Sequence, residues 1–207
     1  MNFENTKAFA EQLDANDILN GFRDKFYIPV LHGNEAIYFT GNSLGLQPRT
    51  TQDYVLDELE DWASFGVEGH FHARQPWFSY HEIFPGLLSP IVGAFPEEIV
   101  VMNQLTVNLH LLMASFYRPD SKKFKILCEA KAFPSDQYAI ETQVRFHGFD
   151  PATTIIEVAP RDGEHCIRTE DILQTIHDHA AETALVLFGG VNYYSGQVFD
   201  MATITKA

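Results

Sequence analysis

ILCEAKAFPSDQYAIETQVRFHG, residues Ile126 to Gly148, decides how this chain is read. It opens on an apolar run, Phe124 to Cys128, of the length and composition of a buried strand. A loop follows from Glu129 to Pro134. Ser135 and Asp136 then stand where a helix cap is expected, ahead of Tyr138, Ile140 and Val144, and Gly148 supplies the stop. Strand, loop and helix in that order place the loop at the carboxyl end of a strand, where open α/β sheets bind ligands. Phe133 and Asp136 lie there, a ring and a carboxylate three residues apart. Such a pair suits a flat, protonatable heteroaromatic ligand, the ring stacking and the anion favouring a protonated ring nitrogen. A core phenylalanine beside a helix-start aspartate accounts for the same residues.

Outward from this stretch, strands and helices alternate. A short strand is expected at Ile99 to Met102, then an apolar helix from Thr106 to Phe116. Beyond Gly148 come a strand at Thr154 to Val158, a helix from Thr169 capped by that threonine, and a strand at Ala184 to Phe188. Gly189 and Gly190 break that strand, and a last helix is capped by Asp200. This alternation predicts an α/β fold with a mainly parallel sheet flanked by helices. Before it, residues 5–26 read as a helix broken near Asn16, Ile37 to Thr40 as a strand, and Thr50 to Ala63 as an amphipathic helix. Residues 66–78 read as a long loop, and His81 to Gly93 as a helix interrupted by Pro85 and Pro90. Residues 1–50 are expected to form a helical arm and extension, and residues 51–207 a partial large domain. A helix two turns long at the end of the chain, with no strand after it, reads as an incomplete α/β unit, so the chain is expected to be a fragment.

The totals exclude several function classes. The 207 residues are 45% hydrophobic and 13% aromatic, enough for a genuine core. A formal net charge of −14 with no run of like charge disfavours nucleic acid and anionic membrane surfaces as partners. Two cysteines, Cys128 and Cys166, make no disulfide framework and fit a reducing compartment. The polar N-terminus has no signal-peptide pattern and no apolar run spans a membrane, so a cytoplasmic protein is expected.

Several residues invite chemistry. Thr106 opens a helix, and its hydroxyl together with the free amides of a first turn suits a phosphate; an ordinary threonine cap needs no ligand. His70, His72 and His81 lack a third ligand at a standard spacing and read as surface histidines, so no metal is expected. His177 and His179 cannot share a helix face. Lys131 and Lys206 show no sign of the dry pocket that a Schiff-base lysine needs. Both cysteines read as structural, and no Gly-x-Gly-x-x-Gly stands anywhere in the chain.

Four separated segments in order, YFTGNSLGLQP (38–48), NQLTVNLHLLMASF (103–116), EAKAFPSDQYAIETQ (129–143) and LFGGVNYYSGQVFDMATITKA (187–207), resemble kynureninase. That family is pyridoxal-phosphate-dependent, with the large domain of the aspartate-aminotransferase-like fold (fold type I). The resemblance implies that Leu105 and Thr106 bind the cofactor phosphate. It implies that the Phe133-Pro134-Ser135-Asp136 loop holds the ring, Phe133 stacking on it and Asp136 lying near its nitrogen. Gly189 matches a cofactor-contacting position that is serine in some members, which leaves only backbone to serve here. Ser43 and Val67 match positions lining the substrate site, Val67 where members carry residues as different as His and Trp. The implied reaction is hydrolytic Cβ–Cγ cleavage of L-kynurenine or its 3-hydroxy form to an anthranilate and L-alanine, in tryptophan catabolism and NAD biosynthesis. The implied assembly is a homodimer. The family's second ring-nitrogen aspartate, its neighbouring histidine, the Tyr-Lys pair that carries the cofactor and the small C-terminal domain all match positions after Ala207. No catalytic residue is therefore expected within the chain, and it is expected to be inactive alone. Two other readings remain at this level: a non-catalytic fragment that associates with a partner, and another fold type I pyridoxal-phosphate enzyme.

Overall fold

The computed structural model describes residues 3–207, which divide into two compact units, Met1–Val101 and Met102–Ala207. The expected boundary after residue 50 falls inside the first unit.

That first unit begins with helix α1 (Lys7–Asn16), whose first turn is capped by the Thr6 hydroxyl accepting from the Phe9 amide. The helix ends at Asn16, and a separate 3-10 turn follows at Asn20–Lys25. Strands β1 (Val30–Leu31) and β2 (Asn34–Glu35) form a two-residue hairpin, with His32 and Gly33 both at positive φ as the tight turn requires. Helix α2 (Thr51–Phe65) is followed by a 3-10 turn at Gly66–Glu68, by α3 (Gly69–His72) and by another 3-10 turn at Trp77–Ile83. Helix α4 (Pro85–Val92) completes the set, with Pro85 in its first turn and Pro90 inside it. Two contacts bind this region. Buried Asp61 accepts from the Arg74 amide at 2.7 Å and from Arg74 Nη1 at 2.8 Å. Gly69 lies against the Trp77 indole, where a Cβ would come within 2.5 Å of the ring. The expected loop over 66–78 is therefore mostly short helical turns. The expected strand at Ile37 to Thr40 is not formed: Ile37 and Phe39 are exposed, and no strand among the described residues pairs with them.

The second unit carries the sheet. Its elements are α5 (Leu105–Phe116), β3 (Lys125–Glu129), α6 (Pro134–Phe146), α7 (Pro151–Thr154), β4 (Ile155–Val158), α8 (Thr169–His179), β5 (Thr183–Leu187) and α9 (Met201–Lys206). The strands are parallel in the order β4-β3-β5. Residues Ile99 to Met102, expected as a further strand, pair with nothing among the described residues and lead to Asn103 at positive φ.

The central strand is covered on both faces, which is why it reads as an unbroken apolar run. Ile126 and Cys128 pack with Met113 and Tyr117 of the α5 region and with Ile140 and Val144 of α6. Leu127, facing the other way, packs with Ile172 of α8, Phe199 and Ile204 of α9. The chain runs from β3 to β4 on one side, then back past β3 to β5. Right-handed connections taken in opposite directions put their helices on opposite faces, as α6 and α8 are. Tyr117 closes the first core by donating to the Phe124 carbonyl at 2.7 Å.

Helix starts depart from expectation in two places. Phe133, not Ser135 or Asp136, is the cap residue of α6, because Pro134 takes the first helical position and moves Ser135 and Asp136 into the first turn. Arg168 precedes α8, which makes Thr169 its first helical residue. At α9, Asp200 caps as expected, accepting from the Thr203 amide.

Leu127 is fully buried and Tyr138 is exposed. Urea denaturation should show Leu127→Ala losing about 2–5 kcal/mol and Tyr138→Ala less than about 0.5 kcal/mol. Lys125 Nζ lies 2.8 Å from Glu182 Oε2, and this hydrogen bond holds the Glu182 carboxyl below its usual range. A carboxyl whose pKa falls on folding stabilises above its unfolded pKa and ceases to do so as pH drops through the folded value. The fall in thermal midpoint below about pH 4 should therefore be shallower in Glu182→Gln than in the parent chain.

Candidate functional site

The carboxyl end of β3 is where the second unit gathers its polar and aromatic groups. Helices α5 and α6 lie on the same face of the sheet and run in the same direction. Gln143 Nε2 donates to His110 Nδ1 at 3.0 Å, and further along both helices the rings of Tyr117 and His147 meet edge to face at 5.3 Å. Since α6 begins just beyond β3, the first turns of both helices are at the carboxyl end of that strand. Two helix starts with their unpaired amides and partial positive charge thus share one end of the sheet.

The first turn of α5 is open. Gln104 makes no side-chain cap, and the amides of Leu105, Thr106 and Val107 have no acceptor among the described residues. Thr106 is half-buried and Leu105 is exposed. Asn108 donates to the Met102 carbonyl at 2.7 Å, yet its buried Oδ1 meets no donor. An open amide cluster with a hydroxyl beside it suits a phosphoryl group.

The first turn of α6 supplies a ring and an anion. Phe133 is half exposed, and the ring of Tyr193 meets it edge to face at 5.1 Å and 83°. Asp136, half-buried, accepts from the Ser135 hydroxyl at 3.2 Å and lies in a helix first turn, where the macrodipole favours a negative charge. Pro134 is exposed and starts the helix. These features fit a planar ring bearing a phosphate tail: one open aromatic face, one carboxylate and one uncapped helix start.

Gly189 follows β5, the neighbour of β3, and meets Glu129 across the strand ends. A Cβ at 189 would lie 3.2 Å from Glu129 Oε1. Glu129 is buried and accepts from Asn192 Nδ2 at 2.7 Å. The structure therefore brings Phe133, Pro134, Ser135, Asp136 and Gly189 to the strand ends that Leu105 and Thr106 share. Ser43 and Val67 belong to the first unit, Ser43 in an exposed turn closed by its amide donating to the Thr40 carbonyl and Val67 exposed in the 3-10 turn after α2. Sequence reading missed Glu129, Asn192 and Tyr193. The available signal was an acidic residue closing an apolar strand, but its partner stands 63 residues away.

Other groups stay outside this arrangement. Lys131, at positive φ, and Lys206 are exposed. His70 Nδ1 donates to the Val67 carbonyl at 2.8 Å, and the ring packs edge to face on Trp77. Among the described residues no three His, Cys, Asp or Glu side chains come together as metal ligands, and no helix is long and apolar enough to cross a membrane.

No protein-family model matches the chain. Individual proteins do. The chain is 58% identical over 207 residues to the kynureninase of Christiangramia forsetii, a match that covers all of this chain and 49% of that protein. It is 57% identical over 206 residues to the kynureninase of Myxococcus xanthus and 48% identical over 214 residues to that of the animal Nematostella vectensis. The chain spans about half the length of the curated relatives it matches.

Cys128 lies in the central strand next to this end, and burial pushes its thiol up to about 12, with Glu157 and Glu129 adding repulsion of the thiolate. Cys166 is exposed. Iodoacetamide at pH 8 should alkylate Cys166 in the folded chain and leave Cys128 slower by more than about a hundredfold, with both reacting in urea. Mass spectrometry of the peptides checks this.

Proposed function

We propose that this chain, a relative of kynureninases over its whole length, is the cofactor-cradling portion of a pyridoxal-phosphate-dependent hydrolase of fold type I. Its substrate is L-kynurenine or 3-hydroxy-L-kynurenine, cleaved between Cβ and Cγ to an anthranilate and L-alanine within tryptophan catabolism and NAD biosynthesis. The active form is a cytoplasmic homodimer. What carries the reading is that α5 and α6 start at one end of the sheet, one start open for a phosphate and the other bearing a ring and a carboxylate.

When bound, pyridoxal phosphate supplies an electron sink for cleavage next to a carbonyl. The residues of this chain bind and orient it. The amides of Leu105 and Thr106 and the Thr106 hydroxyl hold the phosphate at the α5 start. Phe133 stacks on one face of the ring, and Tyr193 limits how far the phenyl ring can turn. Asp136, through its negative charge, favours the protonated ring nitrogen on which the sink depends. Pro134 and Ser135 set the entry of α6 that aims Asp136. Gly189 offers backbone only. Ser43 and Val67 are the substrate-contacting positions that the kynureninase likeness assigns, and Val67 brings an aliphatic side chain.

Equilibrium dialysis of the 207-residue chain against pyridoxal phosphate tests the cradle. Binding should weaken about threefold to tenfold in Phe133→Ala from the lost stacking. It should weaken about fivefold in Thr106→Val, which keeps the shape and removes the hydroxyl. Inorganic phosphate should compete, and borohydride treatment should not single out Lys131 or Lys206 among the lysines. Absence of binding, or binding indifferent to both substitutions, overturns the proposal.

A further inference from the structure

Glu129 is an expensive residue for its place. It ends a strand whose neighbouring positions are fully buried, and it is itself 7% exposed. A buried carboxylate costs free energy unless it is hydrogen-bonded or paired. Its single hydrogen-bond donor among the described residues is the neutral side chain of Asn192, at 2.7 Å to Oε2. A leucine would suit the strand better unless the carboxylate serves the site.

What Glu129 holds is a tightly organised turn. Asn192 Oδ1 accepts from the Tyr194 amide at 3.0 Å, the Ser195 amide at 2.9 Å and the Ser195 hydroxyl at 3.1 Å. The Asn192 amide donates to the Gln197 carbonyl, the Gly196 amide to the Asn192 carbonyl and the Phe199 amide to the Gly190 carbonyl. The far side of the turn is clamped by Gln197, which exchanges two hydrogen bonds with the Ile167 main chain, at 2.8 and 2.6 Å. The near side is fastened to the sheet by Glu129. Between them sits Tyr193, edge-on to Phe133. The other Glu129 oxygen, Oε1, occupies the space that a side chain at 189 would need, since a Cβ there would stand 3.2 Å from it and 3.4 Å from the Val191 carbonyl oxygen.

We infer that Glu129 is a positioning residue: its carboxylate grips Asn192, fixes the 190–199 turn, and so holds Tyr193 in its T-shaped contact with the Phe133 ring, with glycine at 189 as the steric condition for that grip. The consequence for ligand binding rests on the pyridoxal-phosphate reading of the site; the consequence for the turn does not.

The experiment compares Glu129→Leu, Glu129→Gln, Asn192→Asp and the double variant Glu129→Gln with Asn192→Asp. Hydrogen exchange and pyridoxal phosphate dissociation constants are measured on the 207-residue chain. Glu129→Leu keeps bulk without an acceptor and should speed exchange of the Tyr194, Ser195 and Gly196 amides at least about tenfold, with β3 and β5 amides changing less than about twofold. Glu129→Gln still offers an oxygen to Asn192 and should restore protection. Asn192→Asp sets two carboxylates against each other and should open the turn. In the double variant the side-chain amide introduced at position 129 donates to the carboxylate introduced at position 192, and the turn should close again. Pyridoxal phosphate should bind more weakly wherever the turn opens. If the Leu and Gln variants behave alike, or the double variant is no better than Asn192→Asp, the inference is overturned. Binding that ignores an opened turn overturns the link to the Phe133 ring. A parent chain that does not bind pyridoxal phosphate counts against the proposed function, while the exchange results still decide the role of Glu129.

Discussion

Burial of β3 on both faces is the constraint from which the second unit follows. Ile126 and Cys128 need apolar partners on one side of the sheet and Leu127 needs them on the other. No arrangement with helices on a single face satisfies both. The connections therefore leave the central strand in opposite directions, and α6 and α8 end on opposite faces. Parallel pairing then puts the ends of all three strands on one side of the unit, so whatever follows each strand meets there. Gly189, which follows β5, is a neighbour of Glu129 at the end of β3 for that reason.

The polar groups at that end are of two kinds. Those at the starts of α5 and α6 are open among the described residues: amides without acceptors at Leu105 to Val107, a half-exposed phenyl ring, and a carboxylate whose one partner is a neighbouring hydroxyl. Those beneath them are closed: Glu129 on Asn192, Asn192 on three donors, Gln197 on Ile167. A surface that binds must leave hydrogen-bonding capacity unused, and it keeps its shape when the turn beside it is fixed by its own hydrogen bonds. This end of the sheet joins an open rim to such an internally bonded turn.

Much of this was legible in the residues. Short apolar runs located β3, β4 and β5 to within a residue or two, most plainly β3, because a strand buried on both faces carries an unbroken signal. Asp200 announced its helix, since a capping carboxylate acts within three residues. Other features were not. Ile37 to Thr40 and Ile99 to Met102 have strand composition, yet a strand exists only with a partner, and they pair with none among the described residues. Ser135 and Asp136 have the composition of a cap, but Pro134 has a fixed φ that suits the first helical position and it displaced them. At the site, Phe133 and Asp136 stood out as a local pair. Glu129 and Asn192 did not, because a contact across 63 residues leaves no mark in local spacing. The family likeness nominated Leu105, Gly189, Ser43 and Val67, which composition and periodicity pass over, while the start of the apolar helix had already singled out Thr106.

The strand order also has a consequence for the chain in concentrated solution. With β3 in the middle, β4 and β5 each pair on one side only, and each offers a row of main-chain donors and acceptors with no strand beside it among the described residues. Flanks of that kind are templates on which another molecule can add a strand and start an aggregate. The opposing force is the formal charge of −14, which keeps like molecules apart as long as ionic strength is low and the carboxylates remain ionised. Colloidal behaviour in this chain is thus a contest between two open sheet edges and its own acidity, and acid or salt shifts that contest towards the edges.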